Sequence, residues 1–163
     1  MSEALRPAFW FGVAFTAVIW LGTTPLEALA GSEAQLFARV NQVRAQHDLN
    51  PLRGSTELAA VALAHAKDMA RRGYLAHENP EGQNPLNRVT AAGVSGFRLL
   101  AENIGSSTVG GDRIEAIVSG WMGSHDHREN VLNPAFNTAG VAVVDAPDGS
   151  TIVVELYASF TSD

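Results

Sequence analysis

Asn137-Thr138-Ala139-Gly140-Val141-Ala142-Val143-Val144-Asp145-Ala146, then Pro147-Asp148-Gly149, then Thr151-Ile152-Val153-Val154-Glu155-Leu156-Tyr157-Ala158-Ser159-Phe160: two β-branched runs lie near the end of the chain with a turn tripeptide between them. Val, Ile, Thr, Tyr and Phe suit a pleated, packed surface, and Pro-Asp-Gly reverses the chain. The stretch therefore predicts an antiparallel hairpin.

Immediately before it, Trp121 to Pro134 holds two histidines, two acids, an arginine and two asparagines. The segment begins on an apolar helix face and is stopped by Asn133-Pro134. Such a density of polar side chains between hydrophobic elements reads as a loop that carries function. Two of the chain's five histidines, His125 and His127, stand here, so acid-base or metal chemistry near neutral pH is expected to involve it. If the loop is extended, alternation puts residues 125 and 127 on one side.

Further back, Asp112 and Glu115 form a capping box for a helix whose buried stripe is Ile114, Ile117, Val118, Trp121 and Met122, read as core and not as a cofactor box. Ser106 to Gly111 is small and flexible, Ala101 to Gly105 reads as a strand carrying Glu102, and Val94 to Leu100 reads as a loop. A short helix runs from Pro85 to a stop at Gly93. Tyr74 to His77 is an extended segment that delivers His77 into the turn Glu78 to Gly82. The helix before it starts at Ser55, carries Leu58, Val61, Ala62, His65 and Met69 on one face, and ends at Gly73 in a left-handed cap. Its many alanines predict close approach to a neighbour. His65 is read as a satisfied, partly buried histidine and not as a ligand. The first helix opens with a Ser32 and Gln35 capping box, buries Leu36, Val40 and Val43, keeps Arg39 and Arg44 on the wet side, and stops by Asn50-Pro51, with His47 a terminal polar residue.

Composition bounds the class. The chain has 163 residues, of which 46% are hydrophobic and 17% charged, with a formal charge of −6. That suits one globular domain and offers no basic face for nucleic acid. Residues 1–30 read as a signal peptide: Arg6, an apolar run from Ala8 to Leu21, and the small-x-small ending Ala28-Leu29-Ala30, with cleavage before Gly31. The run is shorter than the ~20 residues a membrane-spanning helix needs, so no stable span is expected after cleavage and the product is secreted or periplasmic. There is no cysteine, hence no disulfide framework. The layout is α+β, with the hairpin and two short strands forming one antiparallel sheet covered by helices on both faces.

The ordered motifs Leu49-Asn50-Pro51-Leu52, Ala66-Lys67-Asp68-Met69-Ala70, Tyr74 to His77, Ala101-Glu102-Asn103-Ile104, Trp121 to Leu132 and Ala139-Gly140-Val141 resemble the bacterial branch of the CAP superfamily: cysteine-rich secretory, antigen 5 and pathogenesis-related proteins, also called SCP-like domains. The likeness covers about residues 33 to 160 and makes residues 31–163 the domain. It implies a three-layer α-β-α sandwich around a central antiparallel sheet, and a cleft lined by two histidines and two glutamates. Carried over by position, the cleft residues are His77, Glu102 and His127. The second glutamate, three residues after the tryptophan in animal and plant members, is Ser124 here. Bacterial relatives usually read Ser-Pro-Gly-His-Arg where this chain reads Ser124-His125-Asp126-His127-Arg128, so only His127 is placed in the cleft. His125 is expected at its rim, titrating near ~6.5 like a free imidazole.

Two imidazoles and a carboxylate from separate segments suit a zinc site with an open position, so His77, His127 and Glu102 are the candidate metal ligands. The alternative is a hydrogen-bonded cluster in which Glu102 orients an imidazole. Catalytic candidates are the same three residues with Ser124, although Ser124 and His127 are only three residues apart and no nucleophile-elbow motif is present. The resemblance implies a monomeric binding module whose cleft takes a small, lipid-like or other ligand, with a metal-dependent hydrolase or protease, or a non-catalytic envelope interaction domain, as alternatives.

Overall fold

A computed structural model describes residues 31–161; the signal segment read at 1–30 lies outside the described residues. The elements are α1 (Gly31–Gln46), β1 (Arg53–Gly54), α2 (Thr56–Arg72), α3 (Pro85–Ala91), β2 (Phe97–Ser107), α4 (Arg113–Gly123), α5 (His125–Leu132), β3 (Thr138–Asp145) and β4 (Thr151–Phe160). The hairpin forms as expected, from Thr138↔Ala158 to Asp145↔Thr151. Its turn is closed by Ala146 N–H to Ser150 O and by Gly149 at φ 83.

β4 is buried along nearly its whole length because both of its faces are covered. Ile152, Val154, Leu156 and Ala158 pack with Leu58, Ala62, Ala66 and Met69 of α2. On the other face Val153 and Tyr157 pack with Leu36 and Val40 of α1 and Ile117 and Trp121 of α4. The result is the α-β-α sandwich. Each fully buried Leu or Val contributes about 1.5–3 kcal/mol. The sheet order is β1-β3-β4-β2, antiparallel except for the two-residue parallel contact of β1 with β3.

Four expectations change. Tyr74 to His77 is not a strand, and β1 at Arg53–Gly54 takes the outer place in the sheet instead. β2 is longer than read: it starts at Phe97, inside the supposed loop, and reaches Ser107, because β4 offers a full-length template from Phe160 to Thr151. The Trp121 to Pro134 stretch is not an extended loop but the end of α4, a break at Ser124, and the helix α5. Arg44 is not on the wet side: it is completely buried. The helix ends of α2 are as expected, with Ser55 accepting from Leu58 N–H and Gly73 at φ 68. Asp112 accepts from Glu115 N–H as the cap of α4.

Candidate functional site

β2 is an edge strand, and its two faces carry the two halves of the site. Glu102 and Asn103 are neighbours in the strand, so their side chains leave on opposite faces. Glu102 reaches the α2–α3 side, where its Oε1 accepts from His77 Nδ1–H at 3.0 Å and its Oε2 from Arg88 Nη2–H at 2.7 Å. Asn103 reaches the α5 side and donates through Nδ2 to the His127 carbonyl at 3.0 Å. The outer edge between them is capped by Trp121, whose Nε1–H donates to Ile104 O at 2.9 Å.

His77 is held by its backbone. His65 Nε2–H donates to Ala76 O at 2.9 Å, and Arg88 Nη1–H donates to His77 O at 2.7 Å. The segment is started by the Gly73 cap and by Tyr74, whose hydroxyl donates to Asp68 at 2.7 Å. Burial and Asp68 push the Tyr74 hydroxyl up to about 12, so it remains a donor. With Nδ1 engaged by a carboxylate that is 1% exposed, the half-exposed His77 ring keeps Nε2 as its free nitrogen.

His127 stands on α5 with its ring 6.5 Å from that of Trp121. Burial lowers its pKa, the nearby His77 lowers it further, and Asp126 opposes both. The neutral imidazole, a metal-competent base, is therefore favoured. His125 does not share the site. Two residues along a helix is a rotation of about 200°, and the His125 side chain is 80% exposed. It also does not titrate as a free imidazole: the hydrogen bond with Asp126 and the charge of Glu129 raise its pKa.

Among the described residues, the His/Asp/Glu group whose ligand atoms come within 4.8 Å of one another is His125, Asp126 and Glu129, all exposed. Its two acids face different ring nitrogens, Asp126 at Nδ1 (3.0 Å) and Glu129 at Nε2 (3.6 Å), which makes it a surface ion-pair set. His77, Glu102 and His127 do not converge that tightly. Ser124 sits at the break between α4 and α5 and makes no side-chain cap bond. Glu102 is bonded to His77 and not to His127, so no Ser-His-Glu relay is assembled.

Sequence reasoning missed Arg88 and the polar chain behind α5. Arg88 shows only as a polar position of a short helix, and nothing local marks it as the partner of Glu102. In the chain behind α5, Asn130 Nδ2–H donates to Asn103 Oδ1 at 2.9 Å, Asn103 donates to the Tyr157 hydroxyl at 3.3 Å, and that hydroxyl donates to Glu155 Oε2 at 2.9 Å. Glu155 Oε1 has no partner. Burial pushes Glu155 up to about 8, against the pull of the Tyr157 hydrogen bond and of Arg44. Between the ordinary value of 4.5 and about 8 the folded chain holds a proton that the unfolded chain has lost. Stability should therefore fall as pH rises through that window, by up to about 1.4 kcal/mol per pH unit. Urea unfolding at pH 5 and pH 7.5 checks this: the parent should lose stability relative to Glu155→Gln, and equal losses would mean an ionised carboxylate in the core.

A model of the cysteine-rich secretory protein (CAP) family matches residues 37–157. The Bacillus subtilis protein YkwD is 30% identical over 124 residues, covering 76% of this chain and 47% of its own length, so the chain spans about half of that relative. An extracellular protein containing an SCP domain from Bacillus anthracis superposes with a TM-score of 0.70 at 30% identity, covering 79% of this chain and 40% of its own. An outer surface protein from Borrelia burgdorferi superposes with a TM-score of 0.71 at 22% identity, covering 80% of this chain and 93% of its own. No helix among the described residues is long and apolar enough to cross a membrane.

Proposed function

The chain belongs to the cysteine-rich secretory protein (CAP) family, and on that premise we propose that it is an exported, monomeric binding domain whose cleft takes a divalent transition metal ion, zinc by donor type, at His77 and His127. Export is supported by the reading of residues 1–30 and by the extracellular SCP-domain relative. One observation carries the metal reading: Glu102, itself held by Arg88, engages Nδ1 of His77 and leaves Nε2 as the free donor. A carboxylate behind a histidine orients the ring and raises its basicity, as in carboxylate–histidine–zinc arrangements. The lowered pKa of His127 keeps the second donor deprotonated at neutral pH. Glu102 acts here as the orienting group, because both of its oxygens are engaged. A bound zinc ion would supply Lewis acidity in an open coordination shell. The protein's part is to hold the two imidazoles aimed, the His77 ring through Glu102 and His127 through its place on α5.

Isothermal titration of zinc into tag-free protein tests this. His77→Ala and His127→Ala should each abolish binding, and Glu102→Gln should weaken it by about tenfold or more. His125→Ala should change it by less than about threefold, given its place on the far face of α5. Binding that follows His125 and ignores His77 would sink the assignment.

A further inference from the structure

Glu155 is a carboxyl with no exposed surface in the middle of β4. By strand alternation it shares the face of Val153 and Tyr157, which packs under α1 and α4. The hydrogen bonds that reach it run in one direction. Asn130 Nδ2–H on α5 donates to Asn103, Asn103 Nδ2–H donates to the Tyr157 hydroxyl, and that hydroxyl donates to Glu155 Oε2. The same Asn103 amide holds the His127 carbonyl. α5 is thus tied to the sheet through a chain of donors that ends on one carboxyl, whose other oxygen, Oε1, has no partner.

The surroundings suit that carboxyl while it carries its proton. Arg44 on α1 is the cation that acts on it, yet the hydrogen bonds of Arg44 go to the carbonyls of Asn50, Val131, Asn133 and Phe136. Tyr157, the titratable neighbour in its own strand, is pushed far up by burial and by Glu155, and stays a neutral donor. α4 brings Ile117 and Trp121 to this face, α5 brings Val131, and β3 sets Val141 opposite Glu155. The charged side chains of α5, Asp126, Arg128 and Glu129, are exposed, and His127 meets the chain through its carbonyl. Burial accordingly pushes Glu155 up to about 8. Once the proton is gone, a charged oxygen stands in the core without a donor, a costly state unless water reaches it.

The element that can let water in is α5. α1 and α4 supply the apolar core on this face, whereas α5 is eight residues long, buries Val131 and has no capping side chain. We propose that Glu155 is a protonation switch for the seat of α5: the protonated carboxyl closes the Asn130–Asn103–Tyr157 chain and holds the helix down, and loss of its proton to solvent lifts the helix, hydrates the carboxylate and displaces His127. As regulation of zinc binding the switch rests on the metal reading of His127; the movement of α5 stands without it.

Amide hydrogen exchange of the full chain at pH 7 and pH 8.5, corrected for the intrinsic base-catalysed rate, reads the switch without metal. Protection at residues 129–132 of α5 should fall about threefold or more relative to residues 138–145 of β3. Glu155→Gln and Glu155→Met, both neutral at either pH, should keep the two segments in step. Zinc affinity, measured in chelator-buffered solutions, should fall with α5 in the parent and not in the variants. That fall runs opposite to the rise an ordinary histidine site shows as its ligands lose protons. Unchanged relative protection in the parent, or the same loss in a neutral variant, would overturn the proposal whatever zinc does. Zinc affinity that ignores a loosened α5 would overturn the displacement of His127. If α5 loosens with pH and zinc binds at neither pH, the switch stands and the metal reading falls.

Discussion

Gly140→Ala should be the most damaging single-atom addition in the domain, lowering stability by about 4 kcal/mol or more. A Cβ built at Gly140 falls 2.2 Å from Ala59 N, 2.3 Å from Leu58 C and 2.5 Å from Leu58 Cβ. Two of these are backbone atoms of α2, so no rotamer change relieves the overlap. The whole helix would have to lift off β3, taking Leu58, Ala62 and Ala66 out of the core they share with Leu156 and Ala158. Overpacking typically costs about 1–3 kcal/mol where side chains can yield, and here they cannot. Against a total of about 5–15 kcal/mol for a domain, such a loss leaves little folded protein at 37 °C. Gly120→Ala is the control: it lies in α4 with nothing within 4 Å of the added methyl, and should gain up to about 1 kcal/mol from helix propensity. Denaturant midpoints decide. A Gly140→Ala loss below about 1 kcal/mol would mean that α2 does not rest on β3 as described.

The same contact explains what was readable in advance and what was not. Alanine density in α2 announced a close neighbour, and the β-branched runs announced the hairpin, because both signals are local and repeat along the chain. β2 hid its ends because small and polar residues such as Gly105, Ser106 and Ser107 become strand only by pairing with Val153, Ile152 and Thr151, a tertiary template that overrides propensity. α5 read as a loop because it buries one apolar side chain, Val131, and has no capping side chain at Ser124. Its helicity comes from what grips it: Asn103 on the His127 carbonyl and Arg44 at its far end. Once α5 is a helix, the separation of His125 from His127 follows from rotation per residue. The family motif named His77, Glu102 and His127 as candidates, but it did not name Arg88, which holds one oxygen of Glu102.

Arg44 was misread for a reason that its spacing could have corrected. It lies four residues beyond Val40 and eight beyond Leu36, on the apolar face of α1, yet its residue type argued for solvent. In the fold its Nε–H donates to Asn50 O at 3.0 Å, Nη1–H to Val131 O at 2.8 Å and Asn133 O at 3.0 Å, and Nη2–H to Phe136 O at 3.1 Å. Val131 O is among the last carbonyls of α5, which have no partner within the helix. They form the negative end of its dipole, where a buried cation is best placed. Burial lowers the Arg44 pKa while Tyr157 and Glu155 oppose the shift; a guanidinium nevertheless keeps its charge. Arg44→Met preserves most of the stem volume and removes every donor; Asn133 O keeps the Phe136 N–H, and the carbonyls of Asn50, Val131 and Phe136 are stranded at about 1–3 kcal/mol each if none relaxes. The carbonyls sit at a turn that can open to water, so the expected loss is about 3–5 kcal/mol, not the full sum. Arg44→Lys should recover only part of it, since one ammonium cannot reach carbonyls spread from Asn50 to Phe136. Amide hydrogen exchange locates the damage: protection at 125–132 should fall more than protection in β4, and zinc affinity should fall with it because His127 rides on that helix. A stable Arg44→Met variant with unchanged protection in α5 would mean that the helix is held by its own sequence, and that the arginine clamp is not what positions His127.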